Sequence, residues 1–576
     1  MKLSELTPQV VKAMSLAELQ ALSTSVREFL VEENSVTGGH IGANLGVVEL
    51  SIALHKVFDS PSDAFYLDTG HIGYTHKIIT GRADLFSSLN TFGGMNRFIT
   101  PEESEHDLVE VSHAGTAPSL ALGTAISKSS RSDASFTVAV IGDGSLAEGV
   151  ALEALNHASV EAVNLLIVVN DNGFAISPGF GAIHADLNAA YNNGKPSKFF
   201  QSLGFETSAP LDGHDLGGLI SKFEDYRAKG GVQVVHVRTE KGKGLAPAES
   251  HPIKMHFSMP FDVETGHALN PPIGRQIQTY CTDALLEEMA DNDKIIAITP
   301  STKYATDLDR VADAFPSRVI DPGMSEQHAL SMAAGMALDG ARPVVMFQST
   351  FMQRAFDQLV HDIAFGGADV LIVASRTGFA GYDNATHHGL IDFGYLKAIP
   401  NLRVLFPRNC ESLYETMKRE LISPQGPTLI LFPYGFEKDY CSEESSTGPD
   451  KNSDVGIVSL GNTLAKANEV SHQLHNDGIT CSTYCIEEIK PFPKSKVVEL
   501  ATRHKYLFSI EEYVLDGGLN ESISSALQSC SKAPFYAPFG LECKFFPGGS
   551  AEELADYSGL NSTEIYRDIL KCMKES

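Results

Sequence analysis

No run of about 18 apolar residues occurs in the chain, the length a helix needs to begin spanning a bilayer. No membrane partner is therefore expected. Basic side chains are scarce: 44 Lys and Arg stand against 72 Asp and Glu, a formal net charge of −28. So acidic a chain lacks the footprint that nucleic-acid binding requires, although a local cluster of Arg and His can still receive a small anion. Cysteines are few: eight, all between Cys281 and Cys572, with no CxxC spacing. That argues against a disulfide framework or a structural zinc site. The stretch Met1 to Leu30 lacks both the basic start and apolar block of a signal peptide and the Arg-rich, acid-poor character of a transit peptide. A cytoplasmic protein is the expectation.

What is present is material for several cores. The 576 residues are 43% hydrophobic and 20% charged. At roughly 100–200 residues per domain, about three to five domains fit. The rhythm is strand, loop, helix. Ser15-x-x-Glu18 forms a capping-box pattern, and Leu16, Leu19, Leu22, Val26 and Leu30 follow near a 3.6-residue period, which predicts a helix. Apolar runs predict buried strands at 136–141, 165–169 and 232–237. A second series covers 295–298, 344–347, 370–374, 404–406 and 428–432, and a third covers 455–460, 479–486 and 506–510. Between the series, 257–272 has the Pro steps of a connector, and Cys441 to Ser453 is polar, acidic and turn-rich. The expected fold is α/β: three domains near 1–262, 273–440 and 453–576, with mainly parallel sheets covered by helices.

Chemistry concentrates after the strands. Gly142-Asp143-Gly144 follows one expected strand and Asn170-Asp171-Asn172 follows the next. Ligands of open α/β sheets bind beyond the carboxyl ends of strands, and glycines there admit a diphosphate close to the backbone. Asp143 and the amide oxygen of Asn172 are hard donors suited to Mg²⁺, which completes its shell with phosphate and water. A lone Gly-Asp-Gly is a common turn. Paired with a downstream Asn, it is similar to the pattern of enzymes that use thiamine diphosphate. That cofactor needs a carboxylic group against its aminopyrimidine, and Glu326 in Ser325-Glu326-Gln327-His328 is the candidate.

Over nearly its whole length the chain resembles the 1-deoxy-D-xylulose-5-phosphate synthases of the transketolase superfamily. The resemblance is carried by Gly39-His40 through Glu49-Leu50, Asp68-Thr69-Gly70-His71, the two triplets above, Ser325 to His328, Ser349-Thr350-Phe351-Met352-Gln353-Arg354 and Thr386-His387-His388-Gly389. It implies a transferase that condenses pyruvate with D-glyceraldehyde 3-phosphate, releasing CO₂, with a product that serves isoprenoid-precursor and thiamine biosynthesis. It implies Mg²⁺ on Asp143, Asn172 and the Phe174 carbonyl, and diphosphate and thiazolium contacts from His71, Ser112, His113, Ala114, Gly144 and Ser145. It further implies Phe351 stacked on the aminopyrimidine, His40, His256 and His387 facing the reacting carbons, and Arg354 and Arg376 binding anionic groups with Asp383 nearby. A homodimer is implied as well, with the third domain, including its Gly517-Gly518 turn, in a supporting role.

Four departures from the family pattern stand out. Tyr434 occupies the place of a phosphate-binding Arg in Leu431-Phe432-Pro433-Tyr434-Gly435; Gln348 and Leu245 each replace a Tyr; and the segment between Ser177 and Asp212-Gly213-His214 is short. Loss of one bidentate contact to a phosphate costs roughly 1.5–3 kcal/mol. These departures leave open an alternative, a related ketol or acyl transferase taking pyruvate or a ketose with a different aldehyde, non-phosphorylated ones included. A plain transketolase, the decarboxylating component of a 2-oxoacid dehydrogenase and a silent paralogue are the other readings. The Glu-Gln-His and Thr-Phe-Met-Gln-Arg contexts favour the synthase branch over the first, and retention of Asp143, Asn172 and Glu326 disfavours the last.

Overall fold

The computed structural model describes residues 2–110, 112–440 and 453–575. The chain divides into two compact units, Met1–Pro272 with Gly323–Ser325, and Ile273–Pro322 with Glu326–Ser576.

In the first unit, β1 (Ala64–Leu67), β2 (Thr137–Gly142), β3 (Leu165–Asp171), β4 (Leu211–Asp212) and β5 (Val232–Arg238) form one parallel sheet in the order β1-β2-β3-β5-β4. Successive side chains of a strand point to opposite faces. Val138 and Val140 accordingly share a core with Leu19, Leu22, Val26 and Leu30 of the helix Leu16–Thr37, whereas Ala139 and Ile141 share one with Ala121 and Ala125 of the helix Ala117–Ser130. Both faces are buried, which is why β2 and β3 read as nearly unbroken apolar runs. Each Leu so buried contributes about 1.5–3 kcal/mol relative to exposure. The helix Leu16–Thr37 starts at the expected capping box: the Glu18 backbone N–H donates to the Ser15 hydroxyl (3.4 Å) and the Ser15 N–H to the Glu18 carboxylate (2.7 Å). Leu16 itself stays 46% exposed, outside the buried stripe.

The Pro-containing segment 257–272, expected as a connector, belongs to the first unit. Gly39 and Ser258 exchange backbone hydrogen bonds at 2.9 Å, and Phe261 is buried in the first core. An apolar side chain with a core to enter outweighs the extended habit of its Pro neighbours.

The second unit contains two sheets. Strands β6 (Ile295–Ile298), β7 (Val319–Ile320), β8 (Arg342–Gln348), β9 (Leu371–Ser375), β10 (Arg403–Leu405) and β11 (Thr428–Leu431) are parallel. The other sheet combines β12 (Val455–Ser459), β13 (Cys481–Cys485), β15 (Tyr506–Val514) and β16 (Phe535–Leu541), also parallel, in the order β13-β12-β15-β16. Strand β14 (Glu488–Lys490) leaves that series and pairs antiparallel with β10, giving the order β14-β10-β11-β9-β8-β6-β7. The acidic stretch Cys441 to Ser453 lies outside the described residues except for Ser453, whose hydroxyl meets those of Ser482 (2.8 Å) and the ring of His504 (3.0 Å). Among the described residues no helix is long and apolar enough to cross a membrane, and seven cysteines are free thiols.

Candidate active site

In the first unit the register of β2 and β3 sets Gly142 opposite Asn170, so the two acidic triplets leave the sheet side by side. The Asp143 N–H donates to the Asn170 carbonyl (3.1 Å), and the Asn172 N–H reaches the Asp143 carboxylate (3.4 Å). A Cβ at Gly144 would lie 2.6 Å from that of Ala175, so only glycine lets the two loops close on each other. Burial, opposed by the His184 ring and reinforced by the Asp171 carboxylate, pushes the Asp143 carboxyl above the usual range. Its Oδ2 is sealed from solvent with no hydrogen-bond donor among the described residues. A buried carboxylate oxygen in that state suits a cation. The Asn172 side-chain oxygen accepts from the Phe174 N–H (3.0 Å) and keeps a second lone pair. Asp171 is already engaged, by His236 (2.7 Å) and Arg238 (2.7 Å). Burial would raise its carboxyl, but those two partners hold it below the usual range.

Next to this pair stands a residue the sequence did not single out. Lys241 follows the carboxyl end of β5 and is 4% exposed, with its ammonium donating to the Ala175 carbonyl (2.9 Å). Burial lowers it to about 8, and the Asp143 carboxylate opposes that shift. A buried cation beside a cation-seeking carboxylate suits an anion bound next to a metal. The clue in the sequence was Thr-Glu-Lys just ahead of the Gly-Lys-Gly turn.

Three expected histidines converge. Ring centroids of His40 and His71 lie 5.4 Å apart, those of His40 and His256 5.7 Å, and those of His71 and His256 5.6 Å. The Asn44 side chain ties the first two loops by donating to the His40 carbonyl and the His71 carbonyl, both at 2.8 Å. The Gly39–Ser258 bridge brings in His256. Burial, with the Lys241 charge, lowers His71 to about 4 and His256 well below the ordinary value. Both rings are neutral at pH 7 and can offer a ligand hydrogen bonds rather than charge. The Ser112-His113-Ala114 loop is held by Asp68 at the end of β1, which accepts from the Gly115 N–H (2.9 Å) and the Ala117 N–H (3.2 Å). Ser145 is buried, its hydroxyl 3.9 Å from the Met324 sulfur.

In the second unit the candidates gather at the carboxyl ends of neighbouring strands. Buried Glu326 opens the helix Glu326–Leu338, where the dipole favours a carboxylate. The short strand β7, which the sequence reading missed, precedes it. Phe351 follows β8 and meets His387 edge-on at 5.6 Å. Their loops are joined beneath by a hydrogen bond from Ser349 to Asp392. Arg354 sits half-buried in the turn Gln353–Ala355. Arg376, after β9, is paired with Asp383, and its guanidinium lies 4.6 Å over the Tyr434 ring. Tyr434 follows β11, the neighbour of β9, so the residue in the place of the expected Arg covers the Arg that remains. Of the other departures, Gln348 is buried at the end of β8 and Leu245 lies in the first core, where a shorter apolar side chain fills space.

The loop 376–390, which carries Arg376, Asp383 and His387, is fastened to the C-terminal series. The Phe379 N–H donates to Glu512 (2.9 Å), the Gly549 N–H to the Gly381 carbonyl (3.2 Å) and the Val514 N–H to the Leu390 carbonyl (3.1 Å). Tyr382 bonds Glu553, and the His388 ring meets the Pro547 carbonyl (2.9 Å). No sequence pattern announced this contact.

Residues 4–196 match the family model described as 1-deoxy-D-xylulose-5-phosphate synthase. Residues 274–435 match the transketolase pyrimidine binding domain, and 449–565 the transketolase C-terminal domain. The 1-deoxy-D-xylulose-5-phosphate synthase of Geobacillus thermodenitrificans (strain NG80-2) is 35% identical across 97% of this chain and 96% of its own length. The chain belongs to the 1-deoxy-D-xylulose-5-phosphate synthase family. A second member, 1-deoxy-D-xylulose-5-phosphate synthase 1 of Geobacter sulfurreducens (strain ATCC 51573 / DSM 12127 / PCA), is 36% identical across 90% of this chain and 89% of its own. The family's expected α/β architecture of mainly parallel sheets with helices is the one described above.

Proposed function

We propose that this family member condenses pyruvate with D-glyceraldehyde 3-phosphate, releasing CO₂ and forming 1-deoxy-D-xylulose 5-phosphate, with thiamine diphosphate and Mg²⁺ as cofactors. The observation that carries the reading is the paired Asp143 and Asn172 turn on adjacent strands, in a chain aligned end to end with synthases. The relatives' names specify a 5-phosphorylated product, which favours a phosphorylated acceptor over the alternative aldehyde. The three-domain division at 1–262, 273–440 and 453–576 is part of the proposal, as are homodimerisation and a cytoplasmic setting.

The residues fit the cofactors. Asp143 Oδ2, Asn172 and the Phe174 carbonyl would hold Mg²⁺, and Lys241, His71, Ser112, His113, Ala114, Gly144 and Ser145 would hold the diphosphate end. When bound, thiamine diphosphate supplies the nucleophilic carbon and the electron sink for decarboxylation and carbon–carbon bond formation. Glu326 would exchange a proton with the aminopyrimidine, and Phe351 would stack on it. The rings of His40, His256 and His387 would hydrogen-bond the reacting oxygens and return a proton to the alkoxide formed from the aldehyde. Arg354 and Arg376 would receive the carboxylate and phosphate, with Asp383 orienting Arg376. Incubating the protein with [2-¹³C]pyruvate, D-glyceraldehyde 3-phosphate and both cofactors tests this by NMR. Label in C2 of deoxyxylulose phosphate is expected, and label only in acetaldehyde or acetate would refute it.

A further inference from the structure

We propose that His184 is a ligand of the divalent cation held by Asp143, so that the centre carries an imidazole nitrogen and favours a transition-metal ion such as Mn²⁺ more strongly than an all-oxygen site would. The inference rests on the metal-centre reading above and extends it to a residue outside the expected set.

Donor atoms of Asp143, Asp171 and His184 lie within 4.8 Å of one another. Asp171 is committed to Arg238, His236 and the Gly173 N–H (3.1 Å). That leaves Asp143 Oδ2 and His184 Nδ1. Both atoms are sealed from solvent and neither has a hydrogen-bond partner among the described residues. They are 3.6 Å apart, too far for a hydrogen bond. Two donors each about 2.1 Å from one ion lie about 3.0 Å apart at right angles and about 4.2 Å apart across it, so the observed gap accommodates a shared ion.

The ring is placed rather than loose. It comes from the first turn of the helix Gly181–Asn193 and rests against Gly179, where any Cβ would collide with it. Nε2 meets the Asn188 side-chain amide one turn on, at 2.7 Å. A ligating Nδ1 requires the ring proton on Nε2 and the Asn188 oxygen facing it. That oxygen now makes a 3.4 Å contact with Arg238, which keeps its 2.7 Å bond to Asp171 when the amide turns. Such an outer partner orients a metal-binding imidazole. Nitrogen donors favour Mn²⁺ and later transition ions over Mg²⁺, whereas an all-oxygen set suits Mg²⁺.

The test is pulsed EPR of the full chain loaded with thiamine diphosphate and Mn²⁺, natural and ¹⁵N-histidine-labelled, beside His184→Gln and His184→Ala. A directly bound histidine nitrogen is expected, lost in both variants. Mn²⁺ affinity should fall about tenfold or more, while Mg²⁺ affinity changes less than about threefold. His184→Gln preserves size and helix, so its loss of coupling cannot be attributed to unfolding. Mn²⁺ bound without histidine coupling would overturn the role of His184 and leave the metal centre standing. Failure to bind either ion in the presence of thiamine diphosphate would overturn both.

Discussion

Glu512 offers the most direct test of whether the C-terminal series orders loop 376–390. One carboxylate oxygen accepts from the Phe379 N–H at 2.9 Å and the other meets the Lys466 ammonium at 3.2 Å. Glu512 is 9% exposed, so Glu512→Ala leaves a buried N–H without its acceptor. That costs about 1–3 kcal/mol. The remaining anchors at Gly381, Tyr382, His388 and Leu390 keep the fold, so the penalty falls on the loop that bears Arg376, Asp383 and His387. A 2 kcal/mol loss of loop order corresponds to about thirtyfold in apparent affinity, an upper bound reached if the loop orders only with substrate. Steady-state kinetics with varied glyceraldehyde phosphate should show KM raised about five- to thirtyfold with kcat within about threefold. Glu512→Gln retains an acceptor for Phe379 and should recover most of the loss. An unchanged KM in Glu512→Ala, or equal losses in the two variants, would refute the argument.

Other perturbations give separate readouts. Asp143→Asn should weaken Mg²⁺-dependent thiamine diphosphate binding about tenfold or more by calorimetry, because the buried anionic donor is gone. Tyr434→Arg should lower KM for glyceraldehyde phosphate about tenfold by restoring one charged contact, roughly 1.5 kcal/mol, with little change in KM for pyruvate. Burial raises the Asp392 carboxyl to about 6, the Ser349 hydrogen bond only partly opposing it. The native state thus keeps a proton that the unfolded chain releases near pH 4. This stabilisation is full below about pH 4 and is lost as pH rises through about 6, at most about 3 kcal/mol. Thermal melts across that range should show the decline, and Asp392→Asn should flatten it.

Much of this arrangement was legible because strand ends announce themselves. The apolar runs of β2 and β3 stop at Ile141 and Val169, and the polar and glycine residues that follow include the candidate ligands Asp143 and Asn172. Elements that lacked a pattern were missed. Strands β4 and β7 are two residues long, and β16 contains Pro538 and Gly540, which an edge strand tolerates but which break the strand signal. Segment 257–272 reads as a connector until Phe261 is seen in the core. Lys241 and His184 are not marked in the sequence because β5 and the helix Gly181–Asn193 bring them to Asp143, a proximity no local spacing encodes. The contact of the C-terminal series with loop 376–390 is hidden for the same reason, since Glu512 and Phe379 are far apart in sequence.

We propose a pyruvate-decarboxylating condensation that depends on thiamine diphosphate, with Glu326 as the group that exchanges a proton with the cofactor. It is tested by measuring CO₂ release and deoxyxylulose phosphate together, with and without D-glyceraldehyde 3-phosphate, in the natural protein and in Glu326→Gln. Equimolar CO₂ and sugar phosphate are expected, formed only with acceptor and cofactor present, with no turnover by a folded Glu326→Gln. Sugar phosphate formed by that variant at the natural rate, or CO₂ released without sugar phosphate, would contradict it.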